Sequence, residues 1–305
     1  MAQSGTLGGA ERVADEARPQ RRTRRVPVVL RRLVREKPLG FWGGLVPIVL
    51  MILLAVFAGP ISRVDPNHQD AEAILASPSA SHLLGTDENG RDVLARVAYG
   101  ARVSLTVSFA AVAIGIAAAT AIGMVSGFFG GWVDTGIQRV VDVMMAFPSF
   151  VLILLLAALL GASERNTIVA IALVLIAGAS RVIRGQVLSV KTHVFVEAAN
   201  VIGASRMRIL RRHILPNIFD VIVVIASINI GFAVITEAAL SFLGLGVPPP
   251  TPDWGSMVSG TSAAYLAQAP WIVAGAGAAL AITVFAFNML GDALRDILDP
   301  RLRSL

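Results

Sequence analysis

The sequence predicts an all-α, polytopic membrane protein with six transmembrane helices and both termini on the cytoplasmic side. Three observations carry that expectation. The chain of 305 residues is 55% hydrophobic and only 15% charged, with a mean hydropathy of +0.72. A soluble domain carries about a quarter charged residues. The charge that exists is also missing from long stretches, which a helix surrounded by water does not sustain around its whole circumference. The third observation is the segregation of Lys and Arg into alternate connecting segments, the mark of a fixed orientation in a bilayer.

Each span follows from the need for about 20 apolar residues to cross the hydrocarbon core. The first covers residues 41–61, between Lys37 and Arg63. The second lies within the uncharged run 103–133 and the third within 143–163. A fourth starts near Asn166 and meets Arg181 early, so its helix is expected to extend beyond the membrane. The fifth covers residues 221–245 and contains one acid, Glu237; the sixth lies within 269–290. With the N-terminus cytoplasmic, segments 1–40, 134–142, 181–220 and 291–305 lie inside and hold 21 of the 26 basic residues. Trp42, Trp132, Trp254 and Trp271 all fall at or near span ends, where interfacial anchors are expected.

Composition excludes several functions. There is no cysteine, so disulfides, thiolate catalysis and Cys-ligated metal are ruled out. His68, His82, His193 and His213 have no histidine partner one helical turn away, and no metal site is expected. A phosphate-binding loop needs a lysine directly after glycine. Lys37 follows Glu36 and Lys191 follows Val190, so the chain is not its own ATPase. No clustered His, Asp and Glu constellation offers catalytic chemistry, and the net charge of +6 reads as membrane orientation rather than nucleic-acid binding.

The chain divides into three parts. Residues 1–38 form a basic tail, expected to be disordered and to rest on anionic lipid. Residues 39–102 hold the first span and an external loop; its long basic leader and long apolar run read as a retained span rather than a cleaved signal. Residues 103–305 form a five-helix core with a cytoplasmic loop at 181–216. In the second span Gly115, Ala119, Gly123, Gly127 and Gly131 recur every fourth position. Such a ridge lets a second helix approach closely in lipid, and packing within the chain is favoured over a subunit contact.

The 181–216 loop carries the strongest pattern. Phe195, Ala198, Ala199 and Ile202 are placed on one face of a short helix, and Gly203 allows a tight bend that a side chain would obstruct. Met207, Leu210, Arg211 and Ile214 follow on a second short helix, which Pro216 is expected to end where the fifth span begins. Arg206, Arg208, Arg211 and Arg212 would face lipid headgroups or a partner. The expected shape is a helix–turn–helix bracket at the membrane surface.

Glu197-Ala198-Ala199, then Gly203, then His213-Ile214-Leu215-Pro216, resembles the EAA loop of bacterial ABC-importer permeases. His213 stands where many relatives have an aliphatic residue, and that variant resembles the peptide/nickel branch. Residues 84–92 (LGTDENGRD) are similar to the block before span two of the "C"-type dipeptide/oligopeptide permeases. Residues 241–255, 291–296 and 299–303 resemble their later signatures, so the likeness runs over roughly residues 35–303. The resemblance implies the type I ABC-importer permease fold in a bacterial plasma (inner) membrane, and alternating access. It implies coupling to an ATPase subunit through Glu197, Ala198, Ala199, Gly203, His213, Leu215 and Pro216. The implied partners are a homologous second permease, two cytoplasmic ATP-binding subunits that hold ATP and Mg, and an external solute-binding protein. Dipeptides, longer peptides, nickel chelates and glutathione all remain open as substrates.

Two polar features stay open in this reading. Asp87, Arg91 and Asp92 form either a self-satisfied cap on the second span or a contact for the external binding protein. Glu237 at membrane depth is either a pathway residue or a hydrogen-bonding group between helices. A self-sufficient secondary transporter or channel is the competing class. It has no use for a cytoplasmic bracket, and the scarcity of intramembrane charge disfavours proton or sodium coupling.

Overall fold

A computed structural model describes residues 38–62, 64–259, 262 and 264–298. The basic tail through residue 37 and the C-terminal signature at 299–303 therefore lie outside the described residues. The chain enters as α1 (Pro38–Val56) and, after a break, α2 (Ala58–Ser62). A long loop follows, then α3 (Val93–Phe129), α4 (Gly131–Met145), α5 (Ser149–Leu160) and α6 (Glu164–Lys191). The bracket is α7 (Val194–Val201), α8 (Arg206–Ile209) and a π turn (Leu210–Ile214), which runs into α9 (Leu215–Phe242). A short α10 (Trp254–Met257) precedes α11 (Pro270–Leu298). Among the described residues five helices are long and apolar enough to cross a bilayer, and six spans result when α4 and α5 count as one bent span.

Three of the six expected spans differ in detail. α3 begins at Val93, ten residues before the uncharged run, and crosses the 102/103 boundary as one helix. The two arginines that made this segment read as loop are satisfied by the chain itself. Arg96 reaches Asp87 and donates to the Pro66 carbonyl. Arg102 donates to the Ala55 and Val56 carbonyls at 3.1 and 3.3 Å. Pro60 has no N–H to give Val56, so the arginine replaces a donor that the break in α1 removes.

The third span is bent by 87° between α4 and α5. Pro148 supplies no N–H and disfavours helical backbone at Phe147, so the apolar run 143–163 cannot continue as one rod. α5 alone is 12 residues, about 18 Å long, too short for a hydrocarbon core of about 30 Å. α4 is clamped onto the C-terminal half of α6. Arg184 donates to both Asp134 oxygens at 2.6 and 2.5 Å, and Arg181 pairs with Asp142. Ser126 donates to Asp134, and Lys191 caps the end of α3 through the Phe128 carbonyl at 2.6 Å.

Pro216 does not end the bracket's second helix as expected. The backbone passes from α8 through the π turn into α9 without a break. There Leu215 N–H reaches back five residues to the Leu210 carbonyl, so the wide turn absorbs a proline that lacks its own N–H.

The glycine ridge does pack within the chain. A Cβ on Gly115 would stand 3.0 Å from Ala172 O, on Gly123 2.6 Å from Ser180 O, and on Gly127 3.0 Å from Arg184 O. All three partners lie on α6, so α3 and α6 meet backbone to backbone. Gly131 has open space and takes no part. A second close approach joins α1 to α11, where a Cβ on Gly44 would meet Ala286 O at 2.8 Å. The main apolar cluster runs through α3, α5, α6 and α9, and a second one through α1, α3, α9, α10 and α11.

Candidate functional site

The bracket is built from local chemistry. α7 ends in a Schellman turn: Gly203 N–H reaches Asn200 O and Ala204 N–H reaches Ala199 O, each at 3.0 Å. Gly203 sits at φ +77°, in the left-handed region, and nothing lies within 4 Å of the Cβ it lacks. The obstruction expected of a side chain is therefore a backbone penalty and not a collision. Ser205 then caps α8 by accepting from Arg208 N–H.

The face that α7 buries is not the one expected. Val196 and Ala199 point inward, whereas Phe195, Ala198 and Ile202 are exposed. Ile209, Leu210 and Ile214 are buried on the second arm, while Met207 and Arg211 are exposed. All five buried residues belong to the main apolar cluster of the bundle. The bracket thus has no core of its own, and any tilt of it is felt by the spans.

The outward face of α7 carries Val194, Glu197, Ala198 and Val201, which share one side of a helix at spacings of three, four and seven. Val201 is 81% and the adjoining Ile202 83% exposed. Glu197 and Ala198 therefore face out and Ala199 faces in. His213 is half-buried, with its ring 6.5 Å from that of Phe195; Leu215 is half-buried and Pro216 exposed. Arg206 leaves the expected headgroup-facing set to lie over the Phe129 ring at the end of α3.

On the other side of the bundle, Asp87, Arg91 and Asp92 form one compact unit. Asp92 caps α3 by accepting from Ala95 N–H at 2.8 Å and takes His82 Nδ1 at 3.0 Å. Asp87 Oδ1 accepts from the Asn89 and Arg91 N–H groups, and its Oδ2 takes Arg91 Nε at 2.7 Å. Both aspartates are buried. Gly90, at φ +71°, lets the loop close against Asp70, whose carbonyl would stand 1.9 Å from a Cβ there.

Glu237 is 0% exposed, among helices α3 and α9 and the segment before α10. Its Oε1 accepts from Ser241 Oγ at 3.3 Å, while its Oε2 is buried with no hydrogen-bond partner among the described residues. Sequence reasoning missed this neighbourhood, because it joins α3 and the loop before α10 to α9, segments far apart in the chain. Trp254 in particular is no interfacial anchor: it is 0% exposed and donates from Nε1 to the Val97 carbonyl at 3.0 Å. Among the described residues no group of three or more His, Asp and Glu is arranged to hold a metal ion.

Comparison with known proteins gives this arrangement its context. Residues 119–304 match the family described as "Binding-protein-dependent transport system inner membrane component". The dipeptide transport system permease protein DppC of Alkalihalophilus pseudofirmus is 41% identical over 261 residues, 86% of each chain. The probable D,D-dipeptide transport system permease protein DdpC of Escherichia coli is 40% identical, over 93% of this chain and 95% of its own. The glutathione transport system permease protein GsiD of Pectobacterium atrosepticum is 39% identical, over 84% of this chain and 85% of its own. A multi-pass helical bundle, a match over more than half of the length and similarity to three permeases over 84% or more of the chain converge: the chain belongs to the binding-protein-dependent inner-membrane components, the permease subunits of ABC transporters.

Proposed function

We propose that this chain is one of two homologous membrane-spanning subunits of an ATP-driven importer that takes up dipeptides or longer peptides by alternating access. Both termini are cytoplasmic. Of two ATP-binding subunits, which hold ATP and Mg, one docks from inside on the α7 face around Val194, Glu197, Ala198 and Val201. A solute-binding protein delivers peptide from outside. The chain hydrolyses nothing itself. Its part is to convert closure of the ATPase pair into a tilt of the spans.

The observation that carries this reading is the two-sidedness of the bracket. Its outer face is apolar with one acid and has large side chains in solvent, while its inner face is continuous with the core of α3, α6 and α9. A docking element that must move helices needs both properties, because the two states have to differ in how that element is held. A free-standing channel or secondary transporter needs neither.

Peptide is favoured as substrate because two of the three relatives named above are dipeptide permeases, at 40% and 41% identity over most of their lengths. The test is uptake of a labelled dipeptide by cells that lack this chain, with and without a plasmid-borne copy. Restored uptake that stops on ATP depletion, and that excess unlabelled dipeptide abolishes, is the expected result. Competition by glutathione or a nickel chelate alone would move the assignment to those substrates. Uptake that survives ATP depletion would overturn the importer reading.

A further inference from the structure

Residues 243–257 form an external strap that dips back between α3 and α9. Four consecutive residues in it, 252–255, are buried, in a loop that an external segment would be expected to expose. The strap leaves α9 through a Schellman turn at Gly244, φ +77°, with Leu245 N–H on the Leu240 carbonyl at 2.9 Å. Gly255 then lies so close to α9 that a Cβ would stand 2.2 Å from Ala238 O. Asp253 caps α10 by accepting from Ser256 N–H at 2.9 Å. Trp254 fills the gap to α3.

Two serines tie the backbone of this strap to the bundle, one on each helix. Ser241 Oγ, on α9, accepts from Val247 N–H at 3.4 Å. Ser104 Oγ, on α3, accepts from Trp254 N–H at 3.4 Å. A hydroxyl that accepts from the strap still has a proton to place, and Ser241 places its own on Glu237, donating to Oε1 at 3.3 Å. The chain is therefore Val247 N–H, Ser241 hydroxyl, Glu237 carboxyl. Linked hydrogen bonds polarise one another, and in a dry interior loss of the terminal acceptor leaves the others unsatisfied.

The geometry points to Glu237 as a positioning residue, a latch that orients Ser241 so that the strap is held on the outer end of α9, while Ser104 ties Trp254 of the strap to α3. Glu237 acts through Ser241 and not on the transported molecule. If the transport reading above holds, α3, α9 and the strap move as one body, and the outer mouth opens around this unit rather than between its helices.

The chain has no cysteine, so one introduced thiol reports on the strap. Met257, buried in α10, is replaced by Cys in otherwise complete transporter complexes, in membranes exposed to an impermeant maleimide from outside. The M257C parent is expected to label slowly. Adding Glu237→Ala or Ser241→Ala should raise the labelling rate about tenfold or more, as a buried hydrogen-bond chain is broken. Adding Glu237→Gln, which keeps an oxygen acceptor, should stay within about threefold of the parent. Rates within about twofold of the parent in both alanine variants would overturn the latch. So would a Gln variant that labels as fast as Ala, because the acceptor would then not be what matters. Should Glu237→Ala fail to assemble, Ser241→Ala decides alone. Labelling does not depend on uptake, so a parent that shows this pattern but takes up no peptide would count against the transport reading and not against the latch.

Discussion

At Gly203 and Asp92 the physics is local enough to give single-residue expectations. Gly203 has room for a side chain but a backbone angle that L-residues avoid. Substitution there costs about 1–2 kcal/mol in the turn, more for a β-branched residue, and shifts the angle between the bracket's arms. Asp92 illustrates the opposite case, in which a polar side chain has all its work inside the chain. Asp92→Ala should destabilise α3 by about 1 kcal/mol, lowering the melting midpoint of the purified protein by about 2–4 °C. Asp92→Asn, which keeps the cap, should lose less. Unchanged stability together with weakened capture of the external binding protein would contradict this and restore the contact reading of Asp87, Arg91 and Asp92. Which of Glu197, Ala198 and Ala199 faces the bundle was not legible in the sequence. Eight residues at a membrane surface show no polar-apolar alternation strong enough to choose between neighbouring faces, and the choice is made by Ile209, Leu210 and Ile214 on the other arm.

Among the elements, the spans and the small-residue ridge were legible, because hydropathy over about 20 residues and recurrence at every fourth position are properties of one segment. The ridge has a direct consequence. Gly123→Leu would push a side chain into Ser180 O and Ile183, whereas Gly178→Leu on α6 enters open space. The first should cost about 1–3 kcal/mol and sharply reduce the yield of assembled complex, and the second should be close to neutral. Equal yields from the two variants would show that α3 and α6 do not meet as described. The elbow between α4 and α5 was only half legible: Pro148 marked it, but an apolar run reads alike whether straight or folded. The clamp of Asp134 and Asp142 onto Arg184 and Arg181 joins residues 50 and 39 positions apart, and no local pattern announces such a pairing. The strap is the extreme case. Trp254 looked like an anchor because it stood between two spans, and only the close approach of Gly255 to Ala238 shows that it is core.

For the whole molecule, the bracket and the strap lie at opposite ends of α9, so a displacement of one end of that helix must be accommodated at the other. α8, the π turn and α9 form one continuous helical backbone, which is a stiffer connection than two helices joined at a proline would have been. The central claim is that the bracket transmits, and does not merely cover, the cytoplasmic end. It is tested most directly by recovering the ATP-binding subunits with this chain and measuring peptide uptake in the same membranes, for the parent, Glu197→Ala and Gly203→Val. Neither residue lies in a span, so both variants should reach the membrane and pair with the second permease at parental levels. The account predicts that ATPase recovery falls, or that recovery holds while uptake drops at least about tenfold and ATP is still hydrolysed. Parental recovery and parental uptake in both variants would contradict it.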